Sequence, residues 1–250
     1  METTKNNKLI NNAFYDDLDE MWQGSKDHPI ALLRAENALR NPWIQEVLTK
    51  TFSHPCRTLD VGCGGGYLTN FLATKGHLVS GVDLSEQSLQ IAKKYDTSAS
   101  VEYKRASAYE LPFSDNTFDA VCAMDLLEHV EKPALVIREA SRVLKKGGLF
   151  FFHTFNRNLL SYFMIIKGVE WCFSNAPRNM HVYPLFIKPK ELSEICENHG
   201  MQVKEIKGVR PDFSTKAFWK MVLTKQVSED FRFIFTDSLK TGYSGYASLK

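Results

Sequence analysis

From Thr58 onward the chain alternates short apolar runs with amphipathic stretches. Thr58–Val61 is apolar and leads into Gly62-Cys63-Gly64-Gly65-Gly66, after which Tyr67–Lys75 repeats apolar positions at helical spacing. His77–Val82 is a second run, closed by Asp83. Ser85 can cap the next helix, which reaches about Lys94, because its hydroxyl accepts from an unpaired first-turn amide. Val101–Lys104 and Phe118–Met124 predict a third and a fourth strand. The fourth is apolar throughout and therefore covered on both faces. A helix from about Pro133 to Leu144 is expected to stop at Gly147-Gly148, where glycine supplies a left-handed cap. A fifth strand follows at Leu149–His153. Strand and helix alternating at this spacing specify a parallel sheet with right-handed crossovers.

The rhythm breaks at Phe155, and residues 155–187 read as an insertion. It resumes with a helix, Pro189–His199, stopped by Gly200, and a strand, Met201–Gly208. In the tail, residues 211–250, the pattern places a helix near Ser214–Leu223 and a last strand at Gly242–Leu249. The expected fold class is α/β, a doubly wound, mostly parallel, seven-stranded Rossmann-like sheet. Residues 1–53 form an N-terminal helical cap, with an amphipathic helix over 28–53. Residues 54–250 form the main domain.

Composition narrows the function classes. A net charge of +2, carried by scattered Lys and Arg with no basic stripe, argues against a nucleic-acid partner. The five cysteines are widely spaced without a CxxC pair, so reduced thiols are expected rather than a zinc site or a disulfide framework. Met1–Asn12 is polar and lacks the apolar stretch of a signal peptide. The most apolar stretch, Leu159–Phe173, is interrupted by Lys167 and Glu170 and falls short of the roughly 20 residues of a membrane span. A cytoplasmic protein is expected.

The glycine loop carries the first chemistry. Glycines at 62, 64 and 66 let the backbone turn tightly and let a ligand press against the main chain. Asp83, at the end of the second strand, can accept hydrogen bonds from both ribose hydroxyls of an adenosine, with Leu84 beside it. A dehydrogenase loop reads G-x-G-x-x-G, but here Tyr67 stands at its sixth position. Asp60 would repel a pyrophosphate and suits an ammonium or sulfonium. The ligand this favours is S-adenosylmethionine. Leu111-Pro112-Phe113-Ser114-Asp115, ahead of the fourth strand, is similar to the adenine-side loop of class I methyltransferases. That likeness puts the adenine contacts at Ser107, Ala108 and Tyr109, with Ser107 standing where the family usually has an acid.

Further stretches narrow the resemblance. Met124-Asp125-Leu126-Leu127-Glu128-His129-Val130, Lys145-Lys146-Gly147-Gly148, Phe155-Asn156-Arg157-Asn158, His181-Val182-Tyr183 and Phe186-Ile187-Lys188-Pro189-Lys190-Glu191-Leu192 resemble the polyprenyl-hydroxyphenol/demethylubiquinol O-methyltransferases of ubiquinone synthesis. The likeness runs from about residue 12 to 210 and includes Asn37-Ala38-Leu39-Arg40. It implies cofactor contacts at Arg40, Gly62, Asp83 and Met124, and a small-molecule phenol or catechol as methyl acceptor. Asp125 opens the E-x-x-E-H stretch one methylene short of the family's usual acid, and the tail beyond Pro211 is longer than in typical members.

Methyl transfer to a phenol needs positioning and a deprotonated or polarised oxygen, since a phenol has a pKa near ~10. Asp125, Glu128 and His129 lie just past the fourth strand, at the carboxyl edge where open α/β sheets bind ligands. Three uses are open. They hold Mg2+ or a similar ion that would bind a catecholate, His129 is a general base steadied by a carboxylate, or Glu128 and His129 cap the next helix. His153 and His181 are weaker candidates for the same chemistry, with a structural role the favoured reading of each.

In the insertion, Leu159, Tyr162, Phe163 and Ile166 recur at helical spacing, with Trp171 beyond and Arg157, Lys167 and Arg178 around them. Residues 157–178 could cover the active site or make a peripheral membrane contact. Two other functions stay open, a methyltransferase of a soluble metabolite and a non-catalytic S-adenosylmethionine- or lipid-binding accessory protein.

Overall fold

The computed structural model describes residues 11–250, so the polar reading of the N-terminus falls largely outside the described residues. The chain enters through a 3-10 turn, Ala13–Asp17, and a short helix α1, Met21–Gly24, before the long helix α2, Ile30–Thr51. The central unit follows as β1 Arg57–Val61, α3 Tyr67–Thr74, β2 Leu78–Asp83, α4 Glu86–Lys94, β3 Glu102–Arg105, β4 Phe118–Met124, α5 Pro133–Val143 and β5 Leu144–Phe155. Next come α6 Leu159–Ser161, a π-helical turn at Tyr162–Lys167, α7 Gly168–Cys172, α8 Pro189–Asn198 and β6 Met201–Pro211. The chain ends with α9 Lys216–Thr224, β7 Phe233–Thr236 and β8 Gly242–Leu249.

The strands form one sheet in the order β3-β2-β1-β4-β5-β8-β6-β7. β1 to β5 pair in parallel, whereas β8 runs antiparallel between β5 and β6. The order reverses at β1/β4, and at such switch points an α/β sheet opens a crevice for ligands at the strand carboxyl ends. Every residue of β4 is buried, as a strand covered on both faces requires. Ser85 caps α4 as its sequence position implies, its Oγ accepting from the Ser88 amide at 3.1 Å.

Three expectations are corrected. The sheet has eight strands rather than seven. The additional one, β7, is a four-residue edge strand paired to β6, and its Phe-Ile-Phe-Thr run is too short to carry a period. Helix α5 ends at Val143, because Leu144 already has extended backbone and opens β5. Gly147, at φ +75°, makes a turn inside that strand, where the β4 register shifts, instead of capping the helix. Helix α2 is also not simply amphipathic. Its middle buries Glu36, Asn37, Arg40 and Asn41, while Ile30, Ala31, Trp43, Ile44 and Leu48 supply the apolar contacts. A helix that buries charges there must be matched by partners across the interface.

Candidate active site

The β1–α3 loop forms the floor of a cleft of about 850 Å³. Gly62, Gly64 and Gly66 have φ of +74°, +50° and +84°, so the alternating glycines correspond to alternating left-handed turns. A Cβ on Gly66 would stand 2.8 Å from the Ala92 side chain, which fixes how closely α3 meets α4. On Gly64 it would strike Trp22, whose ring lies across Gly64 and Gly65.

Asp83 faces this cleft. Its Oδ2 accepts from the Gly64 amide and its Oδ1 from the Ser85 amide, each at 2.9 Å, so the carboxylate is fixed in direction by the loop it serves. Burial raises its pKa, and the backbone donors from Ser85 and Gly64 oppose that rise. Asp60, Leu84 and Met124 line the same cleft, as do Ser107, Ala108 and Tyr109 at the opposite end. The Ser107 hydroxyl accepts from the Tyr109 amide at 3.2 Å and shapes that end of the cleft.

Asp60 is buried, and no donor among the described residues meets its carboxylate. Burial first, then the neighbouring Asp83 and Asp125, push its pKa up to about 8, against an opposing pull from Arg40. A buried acid short of a partner is a receptor for a cation. Its ionised form is the one a positive ligand selects, so capture of the ligand below pH 8 releases a proton. Affinity for S-adenosylmethionine should therefore rise with pH, by up to about tenfold per unit below pH 8, and decline above it as the donor's own α-amino group loses its charge. Calorimetry in buffers of different ionisation enthalpy should show release of close to one proton at about pH 7. Affinity independent of pH would remove Asp60 from the site.

Arg40 does not line the cleft. It is fully buried behind it, held on both terminal guanidinium nitrogens by the carboxylate of Asp125, with Nη1–Oδ1 at 2.8 Å, while its Nε has no partner among the described residues, and it lies 3.8 Å from Glu36 one helical turn earlier. Burial acts against the Arg40 charge, but Asp125 and Glu36 more than offset it and raise its pKa. Burial also opposes ionisation of Asp125, and Arg40 overcomes this and holds its carboxyl below the usual range. Glu36 is pushed up, mainly by burial. His153 completes the cluster. Its Nδ1 meets Ser244 Oγ at 2.8 Å, and its Nε2 lies 3.4 Å from Glu36 and 3.6 Å from Asp125. Asp125 adopts a left-handed backbone, φ +56°, which turns it off the end of β4 toward Arg40. The structure thus shows Arg40 as an internal counter-ion. It separates Asp125 from the three-residue set expected for a metal.

Glu128 lines only a second cavity of about 370 Å³, whereas His129 and Asp125 border both. Both Glu128 oxygens are buried without a well-formed hydrogen bond, the Thr154 hydroxyl alone favouring the ionised form from a side chain, and His129 Nδ1 is buried without a partner among the described residues. Burial, reinforced by Asp125, raises the Glu128 pKa well above its ordinary value. Burial lowers that of His129 to about 4, so the imidazole is neutral across the physiological range but a weak base until a bound partner stabilises its charged form. His181 stands beside it, ring centroids 5.2 Å apart, and ligand atoms of Glu128, His129 and His181 lie within 4.8 Å of one another. Tyr15 Oη lies 3.4 Å from His129 Nε2 and Asn12 donates to the His129 carbonyl, so the N-terminal turn grips this residue.

The two cavities share Tyr15, Leu33, Asp125 and His129. That junction is where a group leaving the first chamber can enter the second. Sequence reasoning brought out the cleft residues and Glu128–His129, and the structure places those together. Gly66 sits at the foot of α3 rather than in the cleft lining. Tyr15 and Glu36 were missed, and His181, though within a stretch the resemblance picked out, was not joined to His129. The one available signal was the aromatic content of an otherwise polar N-terminal stretch.

A doubly wound sheet, an alternating glycine turn between two acids, and an adjoining reaction chamber define an S-adenosylmethionine-dependent methyltransferase. A methyltransferase-domain family model matches residues 59–152. The ubiquinone biosynthesis O-methyltransferase of Thiobacillus denitrificans is 38% identical over 185 residues, 73% of this chain and 78% of the relative. That of Coxiella burnetii is 35% identical over 201 residues, covering 79% and 83%. The chain belongs to this O-methyltransferase family. Among solved structures, an S-adenosylmethionine-dependent methyltransferase from Thermotoga maritima, described as a possible histamine N-methyltransferase, superposes with a TM-score of 0.64 at 20% identity, covering 95% of this chain and 97% of that one. Magnesium protoporphyrin IX methyltransferase from Synechocystis, with bound S-adenosylhomocysteine, gives 0.56 at 16% identity and covers 84% of each chain. At these identities the likeness is one of fold. Among the described residues no helix is long and apolar enough to cross a membrane.

Proposed function

We propose that this methyltransferase acts on a phenolic oxygen of a catechol-type quinone precursor carrying an apolar tail, and that residues 11–53 cap both chambers. The observation that carries the reading is the second cavity. Its inner end presents Glu36, Asp125, Glu128, His129 and His181, while its outer walls are mainly apolar and aromatic. A polar ring with a hydrocarbon tail matches that division. The relatives' names point to the same substrate class.

The bound S-adenosylmethionine supplies a methyl group activated on a sulfonium. Asp83 would hold the ribose, since each carboxylate oxygen keeps a lone pair beyond its backbone bond. Asp60 neutralises the amino-acid end. Tyr15 and Asn12 steady His129, which accepts the phenol proton at a ring nitrogen, and the apolar walls exclude water. Asp125 contributes through Arg40, as an anchor of the α2–β4 contact.

A second reading rests on the orphaned atoms of Glu128 and His129. Together with His181 they form a donor set of two nitrogens and one carboxylate, which suits a zinc-like ion. It does not suit Mg2+, which takes an oxygen-rich octahedral shell. The expected Mg2+ site at Asp125, Glu128 and His129 does not fit this arrangement.

Labelled methyl donor offered to a panel of catechols, with and without chelator, tests both readings. Transfer to a catechol oxygen that persists in chelator is the expected result. Transfer abolished by chelator and restored by zinc would favour the ion, and no transfer to any catechol would refute the substrate class.

The insertion exposes Leu159, Leu160, Phe163 and Trp171, side chains a bilayer interface would cover. Flotation with anionic vesicles should carry the protein upward, and Phe163→Ser with Trp171→Ser should weaken that association. No flotation of the unaltered protein would favour a soluble substrate.

A further inference from the structure

We infer that α9, in the tail after β6, forms one wall of the channel that takes the acceptor's hydrocarbon tail and selects its length and girth. The inference rests on the proposed tailed acceptor and assigns a role to a segment that reading does not use.

Three observations carry it. Phe218, Met221 and Val222 are spaced i, i+3 and i+4, so they share one face of α9, and all three line the second cavity. The facing wall comes from the insertion, with Phe163, Val169 and Trp171. Phe163 and Trp171 are 61% and 63% exposed although they line the cavity, so its outer end reaches the surface there. The cavity therefore runs from Glu128 and His129 between two helical walls to an aromatic mouth. A linear, flexible hydrocarbon attached to the ring can leave by that mouth.

The second observation is how the walls are joined. Cys172 and Phe173 at the end of α7 share one buried cluster with Ala217 and Met221 of α9. A side chain inserted between the walls cannot simply push α9 outward without breaking that cluster. The third is the other face of α9. Trp219 and Leu223, i and i+4, are 57% and 82% exposed, so α9 turns a second apolar face to the surface.

A channel wall acts on the tail, so its effect appears when acceptors with and without a tail are compared. The assay measures kcat/KM for a tail-less catechol and for the same catechol bearing three isoprene units, in detergent micelles with saturating S-adenosylmethionine. The quantity read is the ratio, tailed over tail-less. Val222→Trp, which narrows the channel, should lower the ratio about tenfold or more, the size of effect a hydrophobic pocket exerts over a few carbon atoms. Phe218→Ala removes a wall contact and should lower it several-fold. Thr224→Ala, outside the channel lining, is the matched control. S-adenosylmethionine affinity reports folding, because no α9 residue lines the cofactor cleft.

Both variants binding the donor like the unaltered protein and keeping its ratio would overturn the role of α9. A ratio near one in the unaltered protein would refute the tailed acceptor itself, and the channel with it. If Val222→Trp fails to bind the donor, Phe218→Ala decides alone.

Discussion

Asp83→Ala is expected to abolish measurable binding of S-adenosylmethionine. Two losses combine. The substitution removes the acceptor for the ribose hydroxyls, and hydrogen bonds to a charged group contribute about 1.5–3 kcal/mol each. It also frees the Gly64 and Ser85 amides that the carboxylate holds, so the glycine turn loses its brace. Two such bonds correspond to a loss of at least about a hundredfold. Asp83→Asn keeps one oxygen acceptor and should retain part of the affinity. Calorimetry reads both variants, and undiminished affinity in the alanine variant would show that the ribose lies elsewhere.

His129→Ala should lower kcat by about two to four orders of magnitude, the range typical of a positioned acid or base. Its effect on donor affinity should be far smaller. The pH profile carries the sign. With a pKa near 4 in the folded protein, His129 is already in its accepting form above about pH 5, and activity dependent on it falls only on the acid side. Turnover equal to that of the unaltered protein would reduce His129 to a packing residue. Tyr15→Phe is the companion variant, since it removes the hydroxyl beside His129 Nε2 but keeps the ring that stacks on Trp22.

Much of this architecture is written locally in the chain. The run Thr58–Val61 before alternating glycines, the cap at Ser85 and the wholly apolar Phe118–Met124 each carry their own instruction, because propensity, period and turn chemistry agree there. The errors fall where a distant partner decides. Gly147 has the chemistry of a helix cap, but pairing with β4 starts the strand at Leu144. Phe233–Thr236 becomes a strand only because β6 offers it an edge.

At the site the division is similar. The carboxylates of Asp60 and Asp83 follow from the loop they flank. Arg40 and Asp125 were separately visible, but that one neutralises the other depends on how α2 crosses the end of β4, 85 positions away in sequence. The same holds for His181, which the insertion carries to His129. Tyr15 reaches the junction because the chain folds back over α4, where Ser88 Oγ donates to its carbonyl.

A crystal structure with S-adenosylhomocysteine and a prenylated catechol would test the junction of the two chambers directly. The sulfur should lie beside Tyr15, Asp125 and His129, with the ribose on Asp83 and the catechol oxygens turned toward Glu128 and His129. A sulfur remote from that junction, or a catechol bound outside the apolar cavity, would contradict the account.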